Sequence, residues 1–195
     1  MDMSIINKKL DSGIMQSSTL LSRAKFIDIS SKESAAFNDP RYFPFYYYLG
    51  SQISTKKVCQ IGSKLGLIGL CFLQGNKTVE NWLVLEKQIK DIKIPFNIIK
   101  SNFFISGNKN VELNYINLSE CNKKFELCML TEKYNCEEIK HYLEYLWSSL
   151  SPEGLLVVDY IQDDAVKDVF FDFCRVKNRE PMIFNTRYGV GILTR

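Results

Sequence analysis

The chain has 195 residues, 46% hydrophobic, 13% aromatic and 24% charged, the composition of one folded domain rather than of a disordered or low-complexity chain. At this length folding buries roughly 70% of the surface that the unfolded chain exposes, so neither disulfides nor a structural metal are required for stability. The 25 Lys plus Arg and 22 Asp plus Glu leave a net charge of +3, spread along the chain without a block of like charges, which argues against a nucleic-acid surface.

Residues 1–35 are Ser-rich and weakly periodic, with a short helix expected around Thr19 to Lys25. We read residues 1–45 as an N-terminal arm or cap and 46–195 as the domain. The first residues mix Asp2, Lys8, Lys9 and Asp11 with short apolar pieces and lack the continuous apolar run of a secretory signal. No stretch reaches the roughly 18 apolar residues of a membrane span, so a cytoplasmic protein is expected. Six cysteines form no C-x-x-C pair and several sit in apolar runs, as buried thiols acting as small hydrophobes do. A zinc site drawn from Cys121, Cys128, Cys136 and His141 would lack the closely spaced ligand pairs of structural zinc, and no metal is expected.

Turn chemistry at Asn38-Asp39-Pro40 leads into an aromatic segment, Tyr42 to Tyr48, with Pro44 suited to the first turn of a helix that ends near Gly50. The expected role is a helix packed on a sheet; the rival role is a wall of an acceptor pocket, since Tyr pairs an apolar body with a polar tip. Partial exposure of this segment would favour a homodimer. From Lys57 onward short apolar runs alternate with amphipathic stretches, the pattern of a parallel βαβ sheet. Strands are expected at Lys57 to Ile61, Trp82 to Glu86, Val111 to Ile116, Phe125 to Leu130 and Leu155 to Asp159. Helices are expected from Gly66 to about Leu73, from Pro95 to Gly107, from Glu137 to Ser149 and from Asp164 to Val176. Ser151-Pro152-Glu153-Gly154 reads as a turn. Met182 to Phe184 and Val190 to Leu193 close the chain as a hairpin, because the connection is too short for a parallel crossover.

A glycine turn after the first strand, Gln60-Ile61-Gly62-Ser63-Lys64-Leu65-Gly66, a turn Leu150-Ser151-Pro152-Glu153-Gly154 before the fifth, and the closing Thr186-Arg187-Tyr188-Gly189-Val190-Gly191-Ile192 together resemble the class I S-adenosylmethionine-dependent methyltransferases. The resemblance covers about Tyr46 to Arg195. It implies a three-layer, Rossmann-like α/β fold with a mostly parallel seven-stranded sheet and an antiparallel C-terminal hairpin strand. It implies S-adenosyl-L-methionine as cofactor and a small-molecule acceptor, with Gly62, Ser63 and Gly66 at the methionine end. There small residues let the backbone approach and a helix N-terminus offers N–H groups to a carboxylate. Glu86 would take the ribose hydroxyls, as an acid at that strand end does in dinucleotide folds, with Asp91 as its rival. Asn117 would lie near the adenine and Thr131 beside the methyl group.

The sequence departs from the family pattern at three places. Gln60 stands where an acid usually fixes the cofactor's amino group, and a neutral amide contributes hydrogen bonds but no charge. Lys64 stands at the middle glycine, where it crowds the cofactor or opposes its sulfonium. Thr131-Glu132-Lys133 replaces the Asp-Gly-Asp-like run of metal-dependent relatives, which speaks against a catalytic metal. Asp159, Lys133 and Tyr160, at strand ends, are the candidates for assisting transfer to oxygen or nitrogen; Tyr134 is also well placed, and His141 lies inside a helix. Gly75-Asn76-Lys77-Thr78 lacks the glycine spacing of a phosphate loop, and the Gly-x-Gly-x-x-Gly of nicotinamide binders is absent. The alternative from another class is a methyltransferase-like module without catalysis, for which Gln60, Lys64 and the Thr131 region speak.

Overall fold

A computed structural model describes residues 41–87, 96–107, 110–118 and 123–195. The described elements run, in chain order, α1 (Tyr42–Gln52), β1 (Lys57–Ile61), a 3₁₀ turn (Lys64–Gly66), α2 (Leu67–Gly75), β2 (Asn81–Glu86), α3 (Phe96–Ile105), β3 (Val111–Tyr115), β4 (Phe125–Leu130), α4 (Cys136–Ser149), β5 (Leu150–Asp159), α5 (Asp164–Val176), β6 (Met182–Phe184) and β7 (Val190–Thr194). The expected helix at Thr19 to Lys25, the arm over 1–40, Asp91 and Cys121 lie outside the described residues.

The seven strands form one sheet in the order β3-β2-β1-β4-β5-β7-β6. β1 to β5 are parallel, whereas β7 runs antiparallel to both β5 and β6. The central strands are apolar on both faces because helices cover both sides, which explains why they read as continuous runs. Alternate residues serve opposite layers. Val58, Trp82, Val84, Leu127, Met129 and Val157 pack with Tyr42, Phe45, Phe72 and Phe103 of α1 to α3. Cys59, Leu83, Leu85, Cys128, Leu130 and Val158 pack with Leu143, Leu146, Phe170 and Phe173 of α4 and α5.

α1 is core material. Tyr42, Phe43, Phe45, Tyr46 and Leu49 are each at most 1% exposed, and burying side chains of this size contributes about 1.5–3 kcal/mol apiece. The aromatic segment is thus a helix on the sheet, with Tyr47 and Tyr48 only half-buried. α4 begins with a capping box, Asn135 Oδ1 accepting from Glu138 N and Glu138 Oε2 from Asn135 N, which satisfies two otherwise orphaned donors. His141 is exposed on the same helix. One element departs from expectation: Leu150 already pairs with Phe125, so Ser151 to Gly154 form an irregular stretch inside β5 rather than a turn ahead of it. Glu153, at φ 62°, takes up the register shift.

The chain steps from β1 outward to β2 and β3, then returns to lay β4 on the other side of β1. Neighbouring connections therefore leave in opposite directions at the β1/β4 boundary, and open α/β sheets form their ligand crevice at the carboxyl ends of such a switch point.

Candidate functional site

At that boundary β1 gives way to a turn with four left-handed residues, Lys64 (φ 50°), Leu65 (φ 57°), Gly62 (φ 75°) and Gly66 (φ 80°). The two glycines adopt this conformation freely, but Lys64 and Leu65 each carry a steric penalty of roughly 1–2 kcal/mol, so their surroundings must hold them. Asn102 Nδ2 of α3 donates to the Leu65 carbonyl at 2.8 Å, and Lys64 Nζ donates to Tyr160 Oη at 2.6 Å. A Cβ on Gly66 would come within 2.9 Å of the Ile99 carbonyl, so glycine lets α3 close over the turn. Gly62 N donates to the Leu85 carbonyl at 2.9 Å, and Thr131 N to the Ile61 carbonyl at 3.0 Å. These bonds bring the ends of β1, β2 and β4 together.

Ser63 is fully buried, its backbone N–H donates to Glu86 Oε1 at 2.9 Å, and its hydroxyl has no hydrogen-bond partner among the described residues. Glu86 is 5% exposed at the end of β2. Burial pushes its carboxyl up to about 7, with repulsion from Glu132 adding to the rise and Ser63 and Lys64 opposing it. Glu132, half-buried just past β4, lies directly against Gly62: a Cβ there would fall 2.6 Å from Glu132 Cγ. The phenol of Tyr134 is buried and also lacks a partner among the described residues. Burial, then the charges of Glu132 and Glu86, hold it protonated far above the usual tyrosine value.

Gln60 and Thr131 are fully buried and engaged with protein. Trp82 Nε1 donates to Gln60 Oε1 at 3.1 Å, Gln60 Nε2 donates to Thr131 Oγ1 at 2.9 Å, and Thr131 Oγ1 donates to the Gly62 carbonyl. Asp159, 1% exposed, accepts the hydroxyl of Tyr42 on one carboxylate oxygen and that of Tyr46 on the other. Burial raises its pKa to about 7 despite those two bonds and the positive charge of Lys64. Tyr160 follows at φ 64°, its ring 4.8 Å from that of Tyr188 and 4.9 Å from Lys64 Nζ. Burial lowers the Lys64 ammonium, but Tyr160, Glu132 and Asp159 outweigh it and leave the pKa above the ordinary lysine value.

The expected residues therefore fall into separate groups. Gln60, Gly62, Ser63, Lys64, Gly66, Glu86 and Thr131 converge at the switch point. Asp159 and Tyr160 stand one strand further on, joined to the first group through Lys64. Lys133 is exposed and forms a salt bridge with Asp163; Asn117 is exposed beyond β3. Sequence reading missed the contact of Glu132 with Gly62 and the pairing of Tyr42 and Tyr46 with Asp159. The signal available for the first was an acid just after β4 where β1 has an amide; for the second, two tyrosines at i and i+4. Among the described residues no group of three or more His, Cys, Asp or Glu side chains is disposed to hold a metal ion.

No family model matches this sequence, and no curated protein matches it. Solved structures do. The O-methyltransferase of Bacillus cereus in complex with S-adenosylhomocysteine (SAH) is 14% identical, with 98% of this chain and 97% of that chain covered and a TM-score of 0.61. The O-methyltransferase TomG of Streptomyces achromogenes, involved in tomaymycin synthesis and bound to S-adenosylmethionine (SAM), is 14% identical with 100% and 98% covered and a TM-score of 0.60. The SAH-bound methyltransferase PaMTH1 of Podospora anserina is 13% identical with 96% and 95% covered and a TM-score of 0.63. The fold is thus that of the class I SAM-dependent methyltransferases. The likeness is one of architecture: a mixed seven-stranded sheet, mostly parallel, closed by antiparallel strands.

Proposed function

We propose that the chain binds S-adenosyl-L-methionine at the carboxyl edge of the sheet and transfers its methyl group to oxygen or nitrogen of a small-molecule acceptor. The observation that carries this reading is that two of the three buried hydroxyls without partners among the described residues, Ser63 Oγ and Tyr134 Oη, are set beside the carboxylates of Glu86 and Glu132. Buried polar groups are nearly always satisfied, and a polar ligand at the switch point would satisfy these. Glu86 and Glu132 outnumber Lys64 there, which suits a ligand that carries a sulfonium and an ammonium.

Gly62, Ser63, Lys64 and Gly66 line the amino-acid end, Glu86 takes the ribose and Asn117 the adenine side, while Gln60 and Thr131 hold the turn from beneath. When bound, SAM supplies an electrophilic methyl group on its sulfur. The chain's task is to hold the acceptor in line with that methyl and exclude water, while the acceptor's proton leaves to solvent. Of the three candidates we assign the orienting of the acceptor to Tyr160, whose phenol accepts from the Lys64 ammonium and is kept protonated by burial, above the ordinary tyrosine value. Asp159 is the positioning residue behind it, and Lys133 is engaged with Asp163. Among the described residues no helix is long and apolar enough to cross a membrane, and the described cysteines are free thiols, as expected of the reducing cytoplasm that we propose as the compartment.

Isothermal titration with SAM and SAH tests the reading. Micromolar binding to wild type, weakened about tenfold or more in Glu86→Gln and abolished in Gly62→Arg, is the expected result; absence of binding to wild type overturns it. The second reading, a module without catalysis, is favoured by one observation: Lys64, a long side chain on a left-handed backbone, stands in the turn where the family pattern has glycine. Binding seen only after Lys64→Gly would select it.

A further inference from the structure

The turn at Gly62 meets an acid from the wrong strand. β1 brings no carboxylate to this place, and the amide of Gln60 is used at both ends, accepting from Trp82 and donating to Thr131. β4 lies beside β1 in parallel register, Ile61 opposite Leu130, and the bond from Thr131 N to the Ile61 carbonyl extends that pairing by one residue. The next residue, Glu132, then emerges next to Gly62. Its side chain occupies the space that a Cβ at position 62 would take, with Cγ, Cβ and Cδ all within 2.8 Å of that point. Glycine is required here to seat Glu132 as well as to turn the chain.

We infer that Glu132 supplies the negative charge that holds the ammonium group of the ligand's amino-acid moiety, replacing from β4 the acid that β1 lacks. The inference rests on the proposed binding of an S-adenosyl amino acid. Glu132 closes no salt bridge among the described residues. The cation nearest in effect, Lys64, directs its ammonium to Tyr160. From the other elements packed around it, Glu86 and Tyr134 face Glu132 as an acid and a neutral phenol, neither of which neutralises it. A half-buried carboxylate in such surroundings attracts a cation. The turn that follows Gly62 carries the buried hydroxyl of Ser63 and runs into the N-terminus of α2, groups suited to a carboxylate. The turn thus offers complementary ends to a zwitterion, one from β4 and one from the β1–α2 junction, and selects for the amino group.

The test compares SAH with its deamino analogue, 5′-S-(3-carboxypropyl)-5′-thioadenosine, by isothermal titration. Wild type is expected to prefer SAH by about 10- to 100-fold, the span of one charge-assisted contact. Glu132→Gln is expected to bind the two ligands within about threefold of each other, by weakening SAH alone. Binding of the analogue at wild-type strength also reports that the variant's site is folded. A preference for SAH that survives in Glu132→Gln, or equal weakening of both ligands, overturns the assignment and leaves the cofactor reading intact. Failure of wild type to bind either ligand overturns the cofactor reading and this assignment together. Should Glu132→Gln bind neither ligand while wild type binds SAH, the pair is measured on Glu132→Asp: a retained preference upholds the assignment and its loss overturns it.

Discussion

Acids and phenols gather at two places along the carboxyl edge of the sheet, and the two places treat them in opposite ways. At the end of β5 both oxygens of Asp159 are taken by the hydroxyls of Tyr42 and Tyr46, within one chain and without exposure. At the ends of β1, β2 and β4 the hydroxyls of Ser63 and Tyr134 have no partner although Glu86 and Glu132 lie close enough to shift their neighbours by charge. A buried polar cluster that is fully paired rigidifies the fold, whereas one left partly unpaired keeps hydrogen-bonding capacity for water or a ligand. Composition does not distinguish the two clusters; pairing does.

The sharpest way to break the paired half is Asp159→Ala. Two buried phenols lose their acceptor, and urea unfolding is expected to register a loss of about 3–5 kcal/mol, with Asp159→Asn losing less because it keeps one acceptor. On the open half, Gly62→Ala forces a side chain into a left-handed conformation and into Glu132. We expect a loss of about 2–3 kcal/mol and weaker SAM binding, whereas an equal change in the opposite half would leave binding in place.

The third test uses pH and touches both halves. Asp159 and Glu86 titrate near 7 in the folded chain, above ordinary values of 3.8 and 4.5. A raised folded pKa means that the folded state binds the extra proton, so this stability is fully present at low pH and is lost as pH rises through about 7. Each carboxyl is expected to contribute a falling slope of up to about 1.4 kcal/mol per pH unit between pH 5 and 7. Thermal melts at stepped pH should show the slope, and Asp159→Asn and Glu86→Gln should each remove part of it. Saturating SAM should alter the Glu86 part and leave the Asp159 part.

The strands were legible because a central parallel strand must be apolar on both faces. β1 and β4 have the expected bounds, and the short link between β6 and β7 dictated their antiparallel hairpin. The start of β5 was not legible: Ser151 to Gly154 carries turn chemistry, and only the pairing of Leu150 with Phe125 across the sheet makes it a bulged strand. The glycine turn and Glu86 could be found from order and spacing. The contact of Glu132 with Gly62 and the phenols on Asp159 join residues separated by 70 or more positions, and no local periodicity encodes such distances. Lys64 was seen as an obstruction, while its bond to Tyr160 needed the β5 end to be placed beside the turn.

The two phenols on Asp159 also set an order of assembly. They tie α1 to a residue 117 and 113 positions later, and closing so long a loop is entropically uphill until other contacts have drawn its ends together. Helix α1 comes first among the described elements, yet it can fasten only after β4 and β5 have paired. We predict that pulse-labelled hydrogen exchange will find the amides of β4 protected before those of α1; simultaneous or earlier protection of α1 would contradict this. The first of the described helices then acts as the latch that reports, by closing, that β5 is in place beside β4.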